Sequence, residues 1–350
     1  MDPDRIRAVV ADDSHFMRSV ITDVLADGGI EVVATAATGR EAVEAVIEHE
    51  PDVVTMDVEM PEMNGLEAVE QIMAARPTPI VMLSAHTSEG AEVTFEALDR
   101  GAVDFVAKPG GEVSTTIASM EETIQETVRS VASADVTNRT ATPTTPTVRG
   151  AARERPTLVI GSSTGGPSVV QHVLESLPIE ADFRVLVVQH MPRDFTARFA
   201  ERLDRHSAYA VREASDGDRI GGGEALVAPG DGHLVVEAYE DGQLTVGVSD
   251  DPPINSVRPS VDVTMESAAR VVTDPLVGVV LTGMGRDGAE GIRAISAAGG
   301  RTIAQDAETS AVNGMPQRAA DTGCVETIAP LEAIPRAIQD AIERETATNE

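Results

Sequence analysis

The sequence predicts an α/β protein with two domains, each built on a mostly parallel sheet, and three observations support this. Short β-rich runs alternate with helical patterns over residues 1–130. That alternation then stops in a segment rich in Thr, Pro, Ala and Arg, and a second βα series begins at residue 157. A chain of 350 residues is long enough for two domains that each bury a core of their own.

Five strands are predicted in the first domain, at residues 6–11, 31–35, 53–57, 80–84 and 103–107. Helical patterns separate these strands. Such a five-fold βα repeat implies a parallel sheet with right-handed crossovers. It also places a ligand site at the carboxyl ends of the strands.

The second domain is predicted to be a doubly wound, mostly parallel α/β domain. Its β-rich segments are residues 157–160, 184–189, 225–248 and 275–282. The segment between the two domains lacks the apolar content that would offset the cost of ordering it. We therefore expect a first domain at residues 1–130, a flexible linker at 131–156 and a second domain at 157–350.

Composition limits the partners and the compartment. The formal net charge of −31 argues against nucleic acid as a partner, which requires clustered Lys and Arg. The carboxylates are spread along the whole chain, as is typical of proteins from a salt-rich cytoplasm. No apolar run is long enough to cross a membrane, and the first residues lack a signal pattern. We expect a cytoplasmic protein without membrane insertion, and the single cysteine, Cys324, excludes an internal disulfide.

Polar side chains are predicted to converge at the carboxyl edge of the first sheet. They end or follow consecutive strands and are Asp12, Asp13, Asp57, Ser84 and Lys108. Crowded carboxylates repel one another, and a hard divalent cation such as Mg²⁺ relieves this repulsion through oxygen ligands. The cation would also neutralise an incoming phosphoryl group and leave Asp57 as the nucleophile.

Lys108 strengthens this interpretation, because it is the only lysine among 27 basic residues. A chain that otherwise uses arginine throughout needs a compact ammonium group at this position. Simpler roles exist for single members of the set. Asp13 or Ser14 could be the N-cap of the helix predicted near His15, and Asp57 could be a turn residue at the end of a strand.

A candidate nucleophile lies at the start of the second domain. The segment Gly161-Ser162-Ser163-Thr164-Gly165-Gly166 follows a strand, precedes a predicted helix and satisfies G-x-S-x-G. In such a strand-turn-helix elbow the serine hydroxyl is exposed beside backbone N–H groups at the helix start, which can stabilise an oxyanion. A glycine-rich phosphate cradle also uses a helix N-terminus, but the spacing fits neither G-x-G-x-x-G nor the P-loop.

Two further strand ends supply a base and an acid for this serine. His190 ends the strand predicted at residues 184–189, and Asp287 follows the strand predicted at 275–282. Ser163 would attack an acyl carbonyl, His190 would take and return the proton, and Asp287 would fix the imidazole tautomer. The chain order Ser, His, Asp differs from the order Ser, Asp, His of α/β-hydrolases. Asp287 also has a simpler possible role, as the N-cap of the next helix.

Residues 5–130 resemble the receiver domain of two-component response regulators, which has a flavodoxin-like (βα)5 fold. The resemblance is carried by Asp12-Asp13-Ser14, Met56-Asp57-Val58-Glu59-Met60-Pro61, Asn64-Gly65, Leu83-Ser84-Ala85 and Lys108-Pro109. It implies that Asp57 is the phosphoacceptor and that Ser84 and Lys108 contact the phosphoryl group. It further implies Mg²⁺ ligands from Asp12, Asp13, Asp57 and the backbone carbonyl of Glu59.

From residue 158 onwards the chain is similar to the catalytic domain of the chemotaxis protein-glutamate methylesterase family CheB. The matching motifs are Ile160-Gly161-Ser162-Ser163-Thr164-Gly165-Gly166, Gln189-His190-Met191-Pro192, Ala228-Pro229-Gly230-Asp231, Arg258-Pro259-Ser260-Val261-Asp262 and Leu281-Thr282-Gly283-Met284-Gly285-Arg286-Asp287-Gly288. The resemblance implies that Ser163, His190 and Asp287 form the triad. It assigns oxyanion or substrate contacts to Thr164, Met284 and Arg258, although Arg258 could be only a surface charge.

The same resemblance implies hydrolysis of glutamyl methyl esters on the cytoplasmic domains of chemoreceptors, and deamidation of receptor glutamines. It implies the histidine kinase CheA as phosphodonor, no cofactor in the esterase domain, and a receiver that masks the esterase until it is phosphorylated. Two other classes remain open from the residues alone. One is a binding module without turnover, and the other is a nucleotide-binding effector.

Overall fold

The computed structural model describes residues 5–84, 88–108, 116–132, 134, 136 and 155–348. The chain divides into two compact units, Met1–Thr140 and Ala141–Glu350. The predicted linker at residues 131–156 lies mostly outside the described residues, so the domain boundaries remain predictions. Within the part that is described, no helix combines the length and the apolar character needed to span a membrane.

The described residues of the first unit form five strands and five helices in strict alternation. In chain order they are β1 (Arg7–Ala11), α1 (His15–Asp27), β2 (Glu31–Ala36), α2 (Gly39–His49), β3 (Val53–Asp57), α3 (Gly65–Ala75), β4 (Ile80–Ser84), α4 (Ser88–Asp99), β5 (Asp104–Ala107) and α5 (Thr116–Val131). The sheet is parallel, with strand order β2-β1-β3-β4-β5. The predicted (βα)5 fold is confirmed.

Burial explains why the central strands are the easiest to predict. Every residue of β3 and β4 is buried, as expected for strands covered by helices on both faces. Their sequences are almost entirely apolar, interrupted only by the buried Thr55 in β3, and each strand ends on a polar residue, Asp57 or Ser84. Because the strands are parallel, these two residues come to the same edge of the sheet as Asp12, which follows β1.

The second unit is built on a seven-stranded parallel sheet and a three-stranded antiparallel sheet. Its elements in chain order are β6 (Thr157–Ser162), α6 (Gly166–Ser176), β7 (Arg184–Gln189), α7 (Arg193–His206), β8 (Ala210–Glu213), β9 (Arg219–Ile220), β10 (Glu224–Val227), β11 (His233–Glu240), β12 (Gln243–Ser249), α8 (Val261–Val271), β13 (Leu276–Val280), α9 (Ala289–Ala297), β14 (Arg301–Gln305), α10 (Gly314–Ala320), β15 (Thr327–Ala329) and α11 (Ile334–Thr348). Short 3-10 helices lie at Ile179–Ala181 and Leu331–Ala333.

Strand order in the large sheet indicates where a ligand site would lie. The order is β15-β14-β13-β6-β7-β10-β8. After β6 the chain adds β7 on one side of β6. It later adds β13 on the opposite side of β6, followed by β14. The strand order therefore reverses between β6 and β13, and open α/β sheets bind ligands at the carboxyl ends of the strands at such a point. The doubly wound architecture predicted from the sequence is confirmed.

The small antiparallel sheet has the order β11-β12-β9 and packs against α8. Val236 on β11, Val246 on β12 and Met265 on α8 belong to one buried apolar cluster. The Ser267 hydroxyl on α8 accepts a hydrogen bond of 2.9 Å from the Val236 N–H. These contacts fix the position of α8, and its first residues lie beside the candidate site described next.

Candidate active site and phosphorylation site

Ser163 lies in a sharp turn between β6 and α6. Every residue of β6 is buried, and the Ser163 N–H donates to the Thr282 carbonyl at 3.0 Å. Gly165 has a φ of 73°, a left-handed conformation that glycine adopts without steric cost. The Gly166 N–H then donates to the Ser163 carbonyl at 2.8 Å, and the helix begins. The predicted strand-turn-helix elbow is therefore formed.

The segment after β13 approaches this elbow closely. A Cβ atom on Gly283 would lie 2.7 Å from the Ser163 Cβ, a distance that real Cβ contacts do not show. Glycine at position 283 thus permits the backbone to pass directly beside the candidate nucleophile. This contact brings the loop that carries Met284 and Asp287 to the switch point between β6 and β13.

His190 and Asp287 form a direct hydrogen bond. The His190 Nε2 atom lies 2.9 Å from Oδ2 of Asp287, and the two side chains are 11% and 2% exposed. The His190 N–H donates to the Ser162 carbonyl at 3.0 Å, which places His190 beside the elbow. Because Asp287 occupies Nε2, the predicted role of His190 as a base for Ser163 would use the other ring nitrogen, Nδ1.

Asp287 accepts more hydrogen bonds than its role toward His190 alone requires. Its Oδ2 accepts from the Val261 N–H at 2.6 Å, and its Oδ1 accepts from the Ser260 hydroxyl at 2.8 Å and the Asp262 N–H at 3.3 Å. These donors lie at the N-terminus of α8, where the helix dipole also favours an anion. Burial by itself raises the pKa of a carboxyl group. The bond to His190 and these donors outweigh burial and lower the pKa of Asp287 to about 2.

Backbone donors for an oxyanion are present beside Ser163. The N–H groups of Thr164 and Met284 donate no hydrogen bond to any described residue. The Thr282 hydroxyl donates to the Thr164 carbonyl at 2.9 Å, which joins the two loops that carry these N–H groups. Thr164 and Met284 thus stay candidate oxyanion donors, as the resemblance implies.

Arg258 lies near the site, but its guanidinium group binds its own loop. One Arg258 nitrogen, Nη1, donates to the backbone carbonyls of Asp250 and Asp251 at 2.8 and 3.2 Å. Among the described residues, Arg258 therefore stabilises the loop that precedes α8. Its predicted role as a substrate contact remains a prediction.

Several residues that support the site carry no clear signal in the sequence. The Gln189 Nε2 donates to the backbone carbonyls of Ser163 and His190 at 2.9 and 3.1 Å, and its Oε1 accepts from Ser162. His233, on β11, accepts the Ser260 N–H on Nδ1 at 3.1 Å and contacts the Pro252 carbonyl through Nε2. A polar residue that ends a buried apolar strand, such as Gln189, is the one signal that could have indicated such a role.

In the first unit, the carboxylates and the lysine converge as predicted. The Lys108 Nζ lies 2.7 Å from Oδ1 of Asp57 and 2.8 Å from Oδ2 of Asp12. Burial raises the pKa of Asp57, although the hydrogen bond and charge of Lys108 oppose that shift. Burial alone lowers the pKa of an ammonium group, but the bonds to Asp12 and Asp57 outweigh it and raise the pKa of Lys108.

The three carboxylates fit a divalent cation. Carboxylate oxygens of Asp12, Asp13 and Asp57 lie within 4.8 Å of one another, and oxygen ligands at this spacing suit Mg²⁺. Ser14, not Asp13, accepts the capping hydrogen bond at the start of α1, so Asp13 is not needed as a cap. The Glu59 N–H donates to Asp57, and its carbonyl stays a predicted ligand.

Ser84 is fully buried and makes local hydrogen bonds. Its hydroxyl donates to the Gly90 carbonyl at 3.1 Å and accepts from the Thr94 hydroxyl at 2.6 Å. Ser84 and Lys108 both lie at the carboxyl edge of the sheet, which agrees with the predicted phosphoryl contacts without testing them.

The fold and the two sites define a response regulator whose output domain is an enzyme. The family model for the response regulator receiver domain matches residues 8–118, and the model for CheB methylesterase matches residues 158–338. This chain belongs to the CheB methylesterase family. The similarity stated from the sequence is confirmed.

Relatives match over nearly the whole chain. A protein-glutamate methylesterase/protein-glutamine glutaminase of Haloarcula marismortui is 60% identical and covers 98% of this chain and 99% of its own length. The protein of the same name from Halobacterium salinarum is 55% identical, with 97% and 99% covered. The crystal structure of the Thermotoga maritima CheB methylesterase catalytic domain is 39% identical, with a TM-score of 0.51, and covers 54% of this chain and 98% of that one.

Proposed function

We propose that this chain is a phosphorylation-activated protein-glutamate methylesterase and protein-glutamine glutaminase that acts on chemoreceptors during chemotaxis adaptation. The observation that carries the proposal is the His190 to Asp287 hydrogen bond at the switch point of the sheet, beside the Ser163 elbow. The names of relatives that are up to 60% identical over nearly the full length support the substrate class. We place the reaction on the cytoplasmic domains of these receptors.

The first half of the reaction transfers the glutamyl group to the enzyme. Ser163 Oγ attacks the ester carbonyl while His190 Nδ1 takes the hydroxyl proton. The carbonyl oxygen becomes negatively charged, and the N–H groups of Thr164 and Met284 stabilise that charge. As the bond from carbon to the methoxy oxygen breaks, His190 gives its proton to that oxygen and methanol leaves.

The second half restores the enzyme. A water molecule attacks the acyl-enzyme carbonyl, and His190 Nδ1 takes the proton from it. The bond between that carbon and Ser163 Oγ then breaks, the proton returns to Ser163, and the glutamyl carboxylic acid is released and loses its remaining proton to water. With a glutamine side chain the same steps release ammonia, because one acyl-transfer triad serves both leaving groups. Asp287 keeps His190 in the tautomer that both halves require.

In the first unit, Asp57 is the nucleophile toward a phosphoryl donor. Asp12, Asp13 and Asp57, with the Glu59 carbonyl, would hold Mg²⁺, which supplies positive charge against the phosphoryl oxygens. Lys108 lies within hydrogen-bonding distance of Asp57 and contributes a further positive charge at the same place. The proposed physiological donor is a chemotaxis histidine kinase of the CheA type.

Phosphorylation of Asp57 is proposed to relieve masking of the esterase. In the unphosphorylated chain the receiver would cover the crevice that contains Ser163. Residues 151–350 alone should then hydrolyse ester faster than the unphosphorylated full chain. Equal rates for the fragment and the full chain would exclude simple masking.

The experiment for the enzymatic part compares two neighbouring serines. Methanol release from methylated chemoreceptors is measured for the wild type, Ser163→Ala and Ser162→Ala. We expect Ser163→Ala to lose nearly all turnover, whereas Ser162→Ala removes an adjacent hydroxyl and keeps measurable activity. A serine-directed phosphonate should label Ser163 in the wild type. Full activity of Ser163→Ala would exclude the mechanism and favour another nucleophile.

A further inference from the structure

Asn255 lies at the tip of a tight turn beside the candidate triad. Ile254 and Val257 exchange two backbone hydrogen bonds, of 3.1 and 3.0 Å, and enclose Asn255 and Ser256. Both enclosed residues have positive φ, 52° and 66°, as in the two-residue turns of type I′. Asn favours this conformation more than most residues, but Ser does not, so the turn carries some backbone strain.

The Asn255 side chain bridges two buried carboxylates. Its Nδ2 lies 3.0 Å from Oδ2 of Asp262 and 3.2 Å from Oδ1 of Asp287. Asp262 and Asp287 are 4% and 2% exposed. An amide nitrogen has two hydrogens, so it can donate one to each carboxylate. Two like charges at close range repel, and a donor shared between them holds both in place.

The remaining contacts show what the bridge adds. Asp262 also accepts the Gly291 N–H at 2.8 Å, which holds its other oxygen at the start of α9. The Oδ1 atom of Asp287 has two donors from the start of α8 besides Asn255. Of the three, only the Asn255 amide comes from outside that helix start and also contacts Asp262. It therefore resists a rotation of Asp287 that would carry Oδ2 away from His190.

We propose that Asn255 is a positioning residue, which holds the Asp287 carboxylate toward His190 by bridging it to Asp262. The inference rests on the proposed Ser163, His190 and Asp287 triad. Asn255 does not touch the reacting atoms in this account. Its loss should lower kcat, because the base is less well oriented, and leave KM nearly unchanged.

The test uses substitutions that remove the Asn255 amide but keep the conformation of the turn. Asn255→Gly removes the amide but suits a positive φ, and Asn255→Asp also suits the turn but adds a third carboxylate. Ser256→Gly is the matched control, since it relieves strain in the same turn and keeps the amide. Each variant is made in the full chain, and kcat and KM for methanol release from methylated chemoreceptors are measured below the melting temperature.

A positioning role predicts that kcat falls by roughly 10- to 100-fold in Asn255→Gly and further in Asn255→Asp. Ser256→Gly should match the wild type. If Asn255 serves only the turn, both Asn255 variants should keep a kcat within about two-fold of the wild type, which would overturn the inference. Ser163→Ala is assayed alongside. Full activity of Ser163→Ala would disprove the triad and, with it, the role of Asn255. That outcome differs from one in which Ser163→Ala is inactive and the Asn255 variants keep their activity.

Discussion

The Nε2 atom of His190 lies 2.9 Å from Oδ2 of Asp287, and five donors from described residues, His190 included, converge on that carboxylate. Three of these donors come from Ser260, Val261 and Asp262 at the start of α8, and one comes from Asn255. The carboxylate is thus held in one orientation before any substrate binds. Such preorganisation is what allows a carboxylate to select the imidazole tautomer without spending energy on its own reorientation.

Asp287→Asn should therefore lower kcat by about 10³- to 10⁴-fold, because the amide stabilises the wrong imidazole tautomer while it keeps the shape of the side chain. Methanol release from methylated chemoreceptors measures this, and KM should change little. The control is Asp321→Asn, since Asp321 is an exposed residue at the end of α10. A kcat for Asp287→Asn within ten-fold of the wild type would contradict the proposed role.

Asp262 should make folding stability depend on pH. Burial, and then the charge of Asp287, raise the pKa of Asp262 to about 6 from an ordinary value of 3.8. The folded state therefore binds this proton more tightly than the unfolded state. Its stabilising contribution is complete below the unfolded pKa and is lost as the pH rises through about 6.

The variant Asp262→Asn cannot ionise, so it should gain stability relative to the wild type as the pH rises. The melting temperature of each is measured at about pH 5 and about pH 7.5. We expect the difference, variant minus wild type, to be more positive at the higher pH. A difference that stays constant or becomes more negative over this range would show that Asp262 does not titrate there.

Lys108→Arg should impair activation by phosphorylation. A planar guanidinium group cannot occupy the place of a compact ammonium that contacts Asp12 and Asp57 at 2.8 and 2.7 Å. The stimulation of methanol release by a small phosphodonor with Mg²⁺ should fall, while the basal rate stays the same. The control is Arg76→Lys, which exchanges the same two residue types at an exposed ion pair with Glu50. It should leave the stimulation unchanged. Unchanged stimulation in Lys108→Arg would contradict this role.

Arg184 should be important for the stability of the second unit. Its side chain is fully buried, it stacks on Tyr239 at 4.6 Å, and its guanidinium bonds Asp274 and the backbone carbonyls of Gly242 and Arg155. Arg184→Lys loses this planar arrangement and leaves acceptors unpaired. We expect the free energy of unfolding to fall by about 2–4 kcal/mol.

Denaturant unfolding measures this change, with the exposed Arg336→Lys as control. Arg336 pairs with Asp340 on the surface of α11, and the exchange should cost less than about 1 kcal/mol. If Arg184→Lys costs no more than Arg336→Lys, the buried contacts of Arg184 do not contribute as described.

The apolar strands were predictable because burial on both faces gives nearly continuous hydrophobic runs. The predictions at residues 53–57, 80–84 and 184–189 match β3, β4 and β7 residue for residue. Strand β6 extends two residues past its predicted end, since Gly161 and Ser162 pair with β7 despite their weak strand character. Strand β14 was not predicted, because its buried Thr302 and Gln305 break the apolar pattern.

The principal candidate residues were predictable because they end or follow strands of parallel sheets. Ser163, His190 and Asp287 were identified as candidates in this way, and so was the set around Asp57. Residues that act through others were not, because their roles depend on contacts between distant segments. His233 reaches the start of α8 from β11, and Asn255 reaches Asp287 across 32 positions of the chain. No local sequence pattern indicates such contacts.

The most direct test of the central claim is methanol release from methylated chemoreceptors by the full chain, with and without a small phosphodonor and Mg²⁺. We predict that the phosphodonor raises the rate of the wild type, leaves Asp57→Asn at the basal rate, and produces no turnover in Ser163→Ala. A phosphodonor response in Asp57→Asn equal to that of the wild type, or wild-type turnover in Ser163→Ala, would contradict a receiver that controls a serine esterase.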